Sequence, residues 1–413
     1  MKKKVIWIVN EYSFPDEPIT RQSILCRLLN EKGYDCYIIS GSTHNKGLKN
    51  RLSSHEKYRY VKTSEAKGYL IRTSDYQNRY QRVLVAIQFQ HRLWRLRKKI
   101  PHPDIIVSDF AGLFGNTLLK WKKKYGTKII FDILDLWPEA FVSMGYMKKE
   151  SLIAKYFYAL EHKSYREADG IIFSFQGGRD YIINKGWSTE SGGDVDTRDI
   201  GYLNNGVDLA LLEKQSKEYI LDDLDLHSDK FKIIYLGSVS EFNGLDVLVE
   251  VAKELQERKE NHIIILIYGY GNREETLKRM ALRYNLSNIL FKGKLAPEYG
   301  MSLLKKSDLN LFTFKKTSLL EYGVSPNKLF MYFASGKPIL SMIKPKYDLI
   351  EKYKAGISVD NSISLIADSM VEFSKMDQST YNTYCKNARK IAEEYDYNKL
   401  VEVLLHQIEK EKL

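Results

Sequence analysis

Cysteine and long apolar runs are what this 413-residue chain is conspicuously short of. Its three cysteines, Cys26, Cys36 and Cys385, are an odd set without metal-ligand spacing, so no disulfide framework or zinc site is encoded and a reducing compartment is implied. No stretch approaches the roughly 18 consecutive apolar residues that span a bilayer. The run Val5 to Val9 behind the basic first residues is also shorter than a signal-peptide core, and it reads as a first buried strand. A cytoplasmic protein is expected, at most resting on the inner face of the cell membrane. A P-loop and a complete G-x-G-x-x-G are both missing, which removes the usual marks of an ATPase or an NAD enzyme. The eight histidines are scattered, and none is assigned to catalysis or to a metal. Acid is in deficit too: 64 Lys and Arg against 52 Asp and Glu give a net charge of +12, favouring anionic partners such as phosphates or lipid head groups. Nucleic acid is not an expected partner, because no recognisable binding module accompanies the charge.

What is present is an alternation of short apolar runs with helical patterns. "VIWIVN" (5–10), a helical stretch (20–33) ending at Gly33, and "DCYIIS" (35–40) make one strand, helix, strand unit. Further strands are read at 104–109, 128–135 and 170–175. The pattern restarts at "FKIIYLGSV" (231–239) and repeats through strands at 262–269, 289–293, 309–314 and 338–342. This is α/β, doubly wound, in two parallel-sheet domains, since 413 residues exceed one ordinary core. The expected division is 1–206, then 207–390, with a final helix in 391–413 packing back towards the first domain. The polar, acidic stretch 201–230 reads as a linker. Open α/β sheets bind ligands beyond the carboxyl ends of their strands, so function is expected in a cleft between the two domains.

"EYGVSPNKLFMYFASGKPIL" (321–340) reads as a loop turning into a helix that stops at Gly336. Pro326 suits a first helical position and Ser325 its N-cap. Such a helix start offers free N–H groups of Asn327, Lys328 and Leu329 and a positive dipole end, to which Lys328 adds a full charge, making an anion site. An ordinary capped helix with a solvated lysine has the same sequence. "LGSVSEFNG" (236–244), with Gly237 and Gly244, and "YGYGN" (268–272) are two more strand-end loops that allow close backbone approach.

Taken together and in order, "DLWPEAFVSMG", "NNGVD", "GSVSEFNGLDVLVEVA", "IYGYGN" and "SPNKLFMYFASGKPI" resemble the GT-B glycosyltransferases of family 4, the bacterial surface-polysaccharide branch in particular. The resemblance spans nearly the whole chain. It implies two Rossmann-like domains, a nucleotide-sugar donor (UDP- or GDP-linked) as substrate rather than any cofactor, no metal, and transfer with retention to a saccharide acceptor. The acceptor could be polyprenyl-diphosphate-linked or protein-linked, and capsule-type polysaccharide synthesis is the implied setting. By position, Lys328 would grip the donor diphosphate, helped by Ser325, Pro326, Asn327, Leu329, Gly237, Ser238, Asn243 and Gly244. Tyr268, Gly269, Gly271, Lys294 and Leu295 would border the nucleoside.

Two departures bear on donor binding. Where relatives carry a ribose-binding glutamate in the helix, this chain has Met331, and the partner glutamate eight positions earlier falls on Gly323, with Glu321 two residues away. Either Glu321 substitutes, or the donor is held differently, or the chain is a silent homologue that partners an active transferase. Ser238 and Asn243 likewise stand where relatives have arginine and lysine. In the first domain Asp135 is expected to orient a reacting hydroxyl, with Trp137 and Glu139 beside it, although an acid at a helix start and a core tryptophan fit the same pattern. Asn10, Glu11 and Arg21 belong to the loop where such enzymes admit the acceptor, and Arg21 could pair with a phosphate. Finally, 79–100 mixes leucines and aromatics with seven basic residues; it reads either as an amphipathic helix lying on an anionic membrane or as one packed on the sheet with a solvated basic face.

Overall fold

The computed structural model describes residues 3–17, 19–43, 50–76, 79–109, 111–112 and 115–411. The chain divides into two units, residues 1–204 with 397–413, and residues 205–396.

In the first unit the strands are β1 (Val5–Val9), β2 (Asp35–Gly41), β3 (Tyr58–Lys62), β4 (Lys67–Ile71), β5 (Ile105–Ser108), β6 (Lys128–Ile133), β7 (Gly170–Phe173) and β8 (Gly201–Tyr202). They form one sheet in the order β3-β4-β2-β1-β5-β6-β7-β8. Every pairing is parallel except β3 with β4. The inner strands are buried along their whole length, which is why β1, β5 and β6 are near-continuous Val, Ile and Phe rather than alternating sequences. The helices are α1 (Arg21–Glu31), α2 (Arg79–Leu96), α3 (Gly115–Tyr125), α4 (Glu139–Ser143), α5 (Leu152–Glu167) and α6 (Gly178–Asn184). Val85, Ala86, Phe89, Leu93 and Leu96 of α2 are buried, so its apolar stripe faces the protein core, while Leu84 and Ile87 point outward.

The second unit carries β9 (Phe231–Leu236), β10 (Ile263–Tyr268), β11 (Ile289–Gly293), β12 (Leu309–Phe312), β13 (Ile339–Ser341) and β14 (Gly356–Ser358), all parallel, in the order β11-β10-β9-β12-β13-β14. Its helices are α7 (Leu209–Glu218), α8 (Asp246–Glu257), α9 (Glu274–Arg283), α10 (Gly300–Lys305), α11 (Asn327–Ser335), α12 (Leu349–Tyr353), α13 (Ile363–Ser374) and α14 (Gln378–Glu394). Leu248, Val249, Val251, Ala252 and Leu255 of α8 pack on Ile233, Ile265 and Leu309 in one core. The stretch expected as a linker is structured: it holds β8 and α7, and Glu213 of α7 pairs with Lys305 of α10 at 2.9 Å. Its polarity comes from being a surface helix. The last helix, α15 (Tyr397–Glu409), belongs to the first unit, where the Lys128 ammonium donates to the Ile408 carbonyl at 3.0 Å.

Arg21 is not a surface arginine, nor is it available to a phosphate. Its guanidinium forks onto Asp132 of β6 (2.8 and 3.1 Å) and donates to the carbonyls of Leu203 (2.9 Å) and Asn204 (2.7 Å), all out of solvent. It ties α1 to β6 and to the end of the first unit's main segment. Burial outweighs this partner and holds the Asp132 carboxyl above its usual range. Arg21→Met should leave that carboxyl buried without its cation and lower the unfolding free energy by about 3–5 kcal/mol. Urea denaturation checks this, and an unchanged midpoint would refute the structural role.

Candidate functional site

In each sheet the strand order reverses once, between β9 and β12 in the second unit and between β1 and β5 in the first. At such a point neighbouring crossovers leave in opposite directions and open a crevice at the carboxyl ends of the strands. The polar residues of interest gather at these two places.

In the second unit, Lys328 stands one residue into α11 and reaches the β9/β12 switch point. Its ammonium donates to Asn243 Oδ1 (2.6 Å), the Thr313 carbonyl (3.2 Å) and the Tyr235 hydroxyl (3.3 Å). It also lies 4.4 Å from the Phe314 ring centroid and 4.9 Å from that of Tyr235. One turn on, the Tyr332 hydroxyl accepts from the Leu236 amide (3.0 Å) and donates to the Leu236 carbonyl (3.1 Å), which locks α11 against the end of β9. Asn243 is fixed in turn, its amide donating to Ser238 and Ser240. Among the described residues no carboxylate pairs with Lys328. Desolvation without an ion partner lowers its pKa to about 7.

Backbone geometry adds to this charge. Helix α11 begins at Asn327 with Pro326 at the N-cap, so Ser325 does not cap it as expected; its hydroxyl instead accepts from the Asn205 amide at 2.9 Å. Pro326 has no N–H to give and its carbonyl takes the Leu329 amide at 3.1 Å. The amides of Asn327 and Lys328 are left as the open donors of the first turn. Leu329 points into the core. Beside them the ends of β9 and β10 touch backbone to backbone: a Cβ on Gly269 would lie 1.7 Å from the Gly237 carbonyl oxygen, so only glycine fits. Gly244 (φ +60°) turns the chain after Asn243 into α8, and a Cβ on Gly271 would clash with the Val239 carbonyl.

The residues expected around the nucleoside divide. The Tyr268 ring is buried and its hydroxyl donates to Asp223 at 2.8 Å, next to the Lys292 to Asp223 and Asp225 ion pairs, so its side chain is a structural tie. Lys294 is exposed, 5.3 Å from the exposed Tyr270 ring, and Leu295 is half-buried. Tyr270 and the exposed Phe242 are the flat apolar surfaces that the sequence reading passed over. Glu321 lies exposed in a short 3-10 helix, Ser318–Tyr322, with no contact to Lys328. Gly323 has φ +91° and ψ −176°, a conformation open to glycine alone, so no carboxylate is held there. Met331 packs its methyl against Gly300, where an added Cβ would come within 3.0 Å.

In the first unit, Asn10 after β1 donates to Asp109 after β5 at 2.7 Å, straight across the switch point. Asp109 was read only as a strand end; an acid closing an apolar strand was the available signal. Glu11 is buried, and burial pushes its carboxyl up to about 7 against the pull of the Tyr12 hydroxyl and Arg82. Glu11 Oε1 and Asp109 Oδ1 are both out of solvent without a hydrogen-bond partner. Burial, then the nearby Asp132, Asp135 and Glu11 charges, also raise the Asp109 carboxyl. Asp135 lies after β6 with its side exposed. Trp137 and Glu139 are occupied otherwise. The Trp137 ring packs 4.5 Å from Phe157, and Glu139 takes the Lys185 ammonium (2.5 Å) and the Tyr158 hydroxyl (2.7 Å), partners that outweigh burial and keep its carboxyl low.

Comparison with known proteins gives a family likeness and a fold. Residues 216–391 match the sequence model of the family described as glycosyl transferases group 1. The match spans most of the second unit. The chain is 22% identical to an uncharacterized glycosyltransferase of Methanocaldococcus jannaschii over 320 residues, covering 76% of this chain and 77% of that protein. It is 25% identical to the putative colanic acid biosynthesis glycosyl transferase WcaI of Escherichia coli K12 over 242 residues, 57% of this chain and 56% of that one. Among solved structures, the Escherichia coli trehalose-6-phosphate structure bound with UDP-2-fluoro glucose superposes with a TM-score of 0.75 at 12% identity, over 99% of both chains. The fold is GT-B, two α/β domains with parallel sheets.

A titration tests the second unit's anion site. Because the free ammonium has a pKa of about 7 and an anion needs it charged, binding of sulfate, whose own charge is constant around neutral pH, should take up close to one proton at pH 8. Affinity should weaken about tenfold per pH unit above 7 and be flat below it. Calorimetry in buffers of different ionisation enthalpy reads both, and proton-neutral binding at pH 8 would refute the assignment.

Proposed function

We propose that the chain transfers a sugar, a hexose or N-acetylhexosamine, from a nucleoside diphosphate donor to a saccharide acceptor with retention, in surface-glycan assembly. The observation that carries the reading is the Lys328 ammonium and the two open α11 amides converging on one switch point without a competing carboxylate. As the glycosidic bond to the donor breaks, negative charge grows on the departing diphosphate. A fixed cation and oriented N–H groups stabilise that charge more in the transition state than in the ground state, which is what lowers a barrier. Among the described residues no set of three His, Cys, Asp or Glu side chains is placed to hold a metal. In this reading Lys328 and backbone dipoles stabilise the leaving-group charge.

The first unit supplies the acceptor side in this reading. Asn10, Glu11 and Asp109 present polar groups at its own switch point, and Asp135 lies one strand further on. Their carboxyl oxygens suit a sugar's hydroxyl donors. The surface-glycan setting is supported by the likeness to the colanic acid protein and by the family resemblance, and a UDP-linked donor by the ligand of the structural relative.

Lys328→Met separates catalysis from folding. It should reduce turnover by roughly 10²–10³-fold while the melting temperature stays unchanged or rises, since an unpaired desolvated cation is replaced by an apolar chain of similar length. Donor hydrolysis measured over a panel of UDP- and GDP-sugars checks this. Wild-type protein that hydrolyses no donor and gains no thermal stability from any nucleotide would indicate a silent partner of another transferase instead.

A further inference from the structure

The first unit bears an outward apolar surface that the core does not account for. Ser151 caps α5 by accepting from the Ala154 amide at 3.2 Å, which sets the rotation of the helix. Ala154, Glu161, Ser164 and Tyr165 then face inward, and Phe157 meets Trp137. Leu152, Ile153 and Tyr156 are thereby turned out, at 84%, 62% and 58% exposure, and Met144 and Tyr146 just before them are exposed as well. An α-helix built only to cover a sheet would carry polar residues there.

The charge around these residues is predominantly positive. Lys148, Lys149 and Lys155 are exposed and in no salt bridge among the described residues, with Glu150 the single acid between 144 and 156. The adjoining helices fix where this surface lies. Asn116 of α3 donates to the Leu160 carbonyl of α5 at 2.9 Å, and Trp121 of α3 meets Trp94 of α2 at 5.3 Å, so the three helices lie side by side. Neither α2 nor α3 contains an acidic residue; the lysines in the last turn of α3 lie at the far end of the layer, where Lys122 and Lys123 pair with Asp169 and Glu167. All three connect parallel strands of the one sheet, so their first turns lie toward the carboxyl ends of the strands, the edge that holds Asn10, Glu11 and Asp109.

We propose that the surface formed by residues 144–156 docks onto an anionic lipid bilayer, with Leu152, Ile153, Tyr146 and Tyr156 entering the head-group boundary and Lys148, Lys149 and Lys155 pairing with lipid phosphates. Exposed leucine, isoleucine and tyrosine interleaved with lysine is the composition that combines apolar burial with attraction to negative head groups. A second copy of this chain is the poorer occupant, since a symmetric contact would set the same lysines against each other. The proposal moves the expected membrane contact from α2, whose apolar stripe is buried, to the start of α5. It does not depend on the transferase reading.

The experiment is co-sedimentation of the full chain with vesicles of phosphatidylcholine alone and with about 30 mol % phosphatidylglycerol. Wild type is expected to pellet with the anionic vesicles and much less with the neutral ones, and to be released by about 0.5 M salt. Leu152→Ser with Ile153→Ser should lower the bound fraction about tenfold or more. Lys148→Glu with Lys149→Glu should remove the salt-sensitive part, and urea midpoints equal to wild type would show that both variants fold. Equal pelleting of wild type and the Leu152/Ile153 variant overturns the proposal. So does failure of wild type to pellet, or self-association in free solution that those serines abolish.

Discussion

An ammonium held away from water with no carboxylate beside it is the constraint on which the second unit's site rests. Desolvating a cation is costly, and proteins ordinarily offset that cost with a paired acid. Here Lys328 has only neutral partners: an amide oxygen, a carbonyl, a tyrosine hydroxyl and aromatic ring faces. Each is itself fixed, Asn243 by two serines and Tyr235 by its bond to the Ser238 carbonyl at 2.9 Å. The charge is thus oriented but not neutralised. A doubly charged ligand arriving there meets a cation whose reorganisation is already complete, the condition under which electrostatic stabilisation is most effective.

The two units answer the same topological question with opposite chemistry. Both reverse their strand order once and place polar side chains at that reversal, but the second presents a bare cation and N–H groups, whereas the first presents carboxyls. One end suits phosphate oxygens and the other suits hydroxyl protons. Arg21 would have confused this division had it faced the first unit's site. Its fork onto Asp132 and two carbonyls instead takes one acid out of that cluster and leaves Glu11 and Asp109 as the carboxyls with open oxygens.

The strands were readable because a parallel sheet buried on both faces demands unbroken β-branched runs, and "VIWIV", "KIIF" and "IIILIY" can hardly be anything else. The β3–β4 hairpin was not, since "YRYVK" is a half-exposed edge strand whose apolar content is too low to announce it. The place of Lys328 was legible for a local reason: a loop, a proline and a lysine before an apolar run specify a helix start, and Lys328 stands in its first turn. Ser325 was misread as the cap because its actual partner, Asn205, lies 120 positions away. Arg21, Glu139 and Tyr268 failed in the same manner. Each looked available in sequence, and each is bound by a partner that only the tertiary fold brings near. Asp109 was overlooked for the converse reason, because its meaning depends on Asn10 across the switch point.

The methionine in α11 belongs with two glycines. Its methyl packs close to where a Cβ at position 300 would stand, and it turns the second turn of α11 into an apolar surface. Gly323 in turn holds a backbone conformation that any side-chained residue would occupy only with strain of about 1–3 kcal/mol. A glutamate restored at 331 alone would therefore gain no acidic companion from the loop, and one restored at 323 would have to remodel it. Met331 and Gly323 are consistent with each other, and neither places a carboxylate near the proposed diphosphate site. In the proposed transferase reading, that leaves Lys328 without a competing negative charge and offers a nucleoside the exposed flat surfaces of Tyr270 and Phe242, where ring area rather than carboxylate geometry would set the preference.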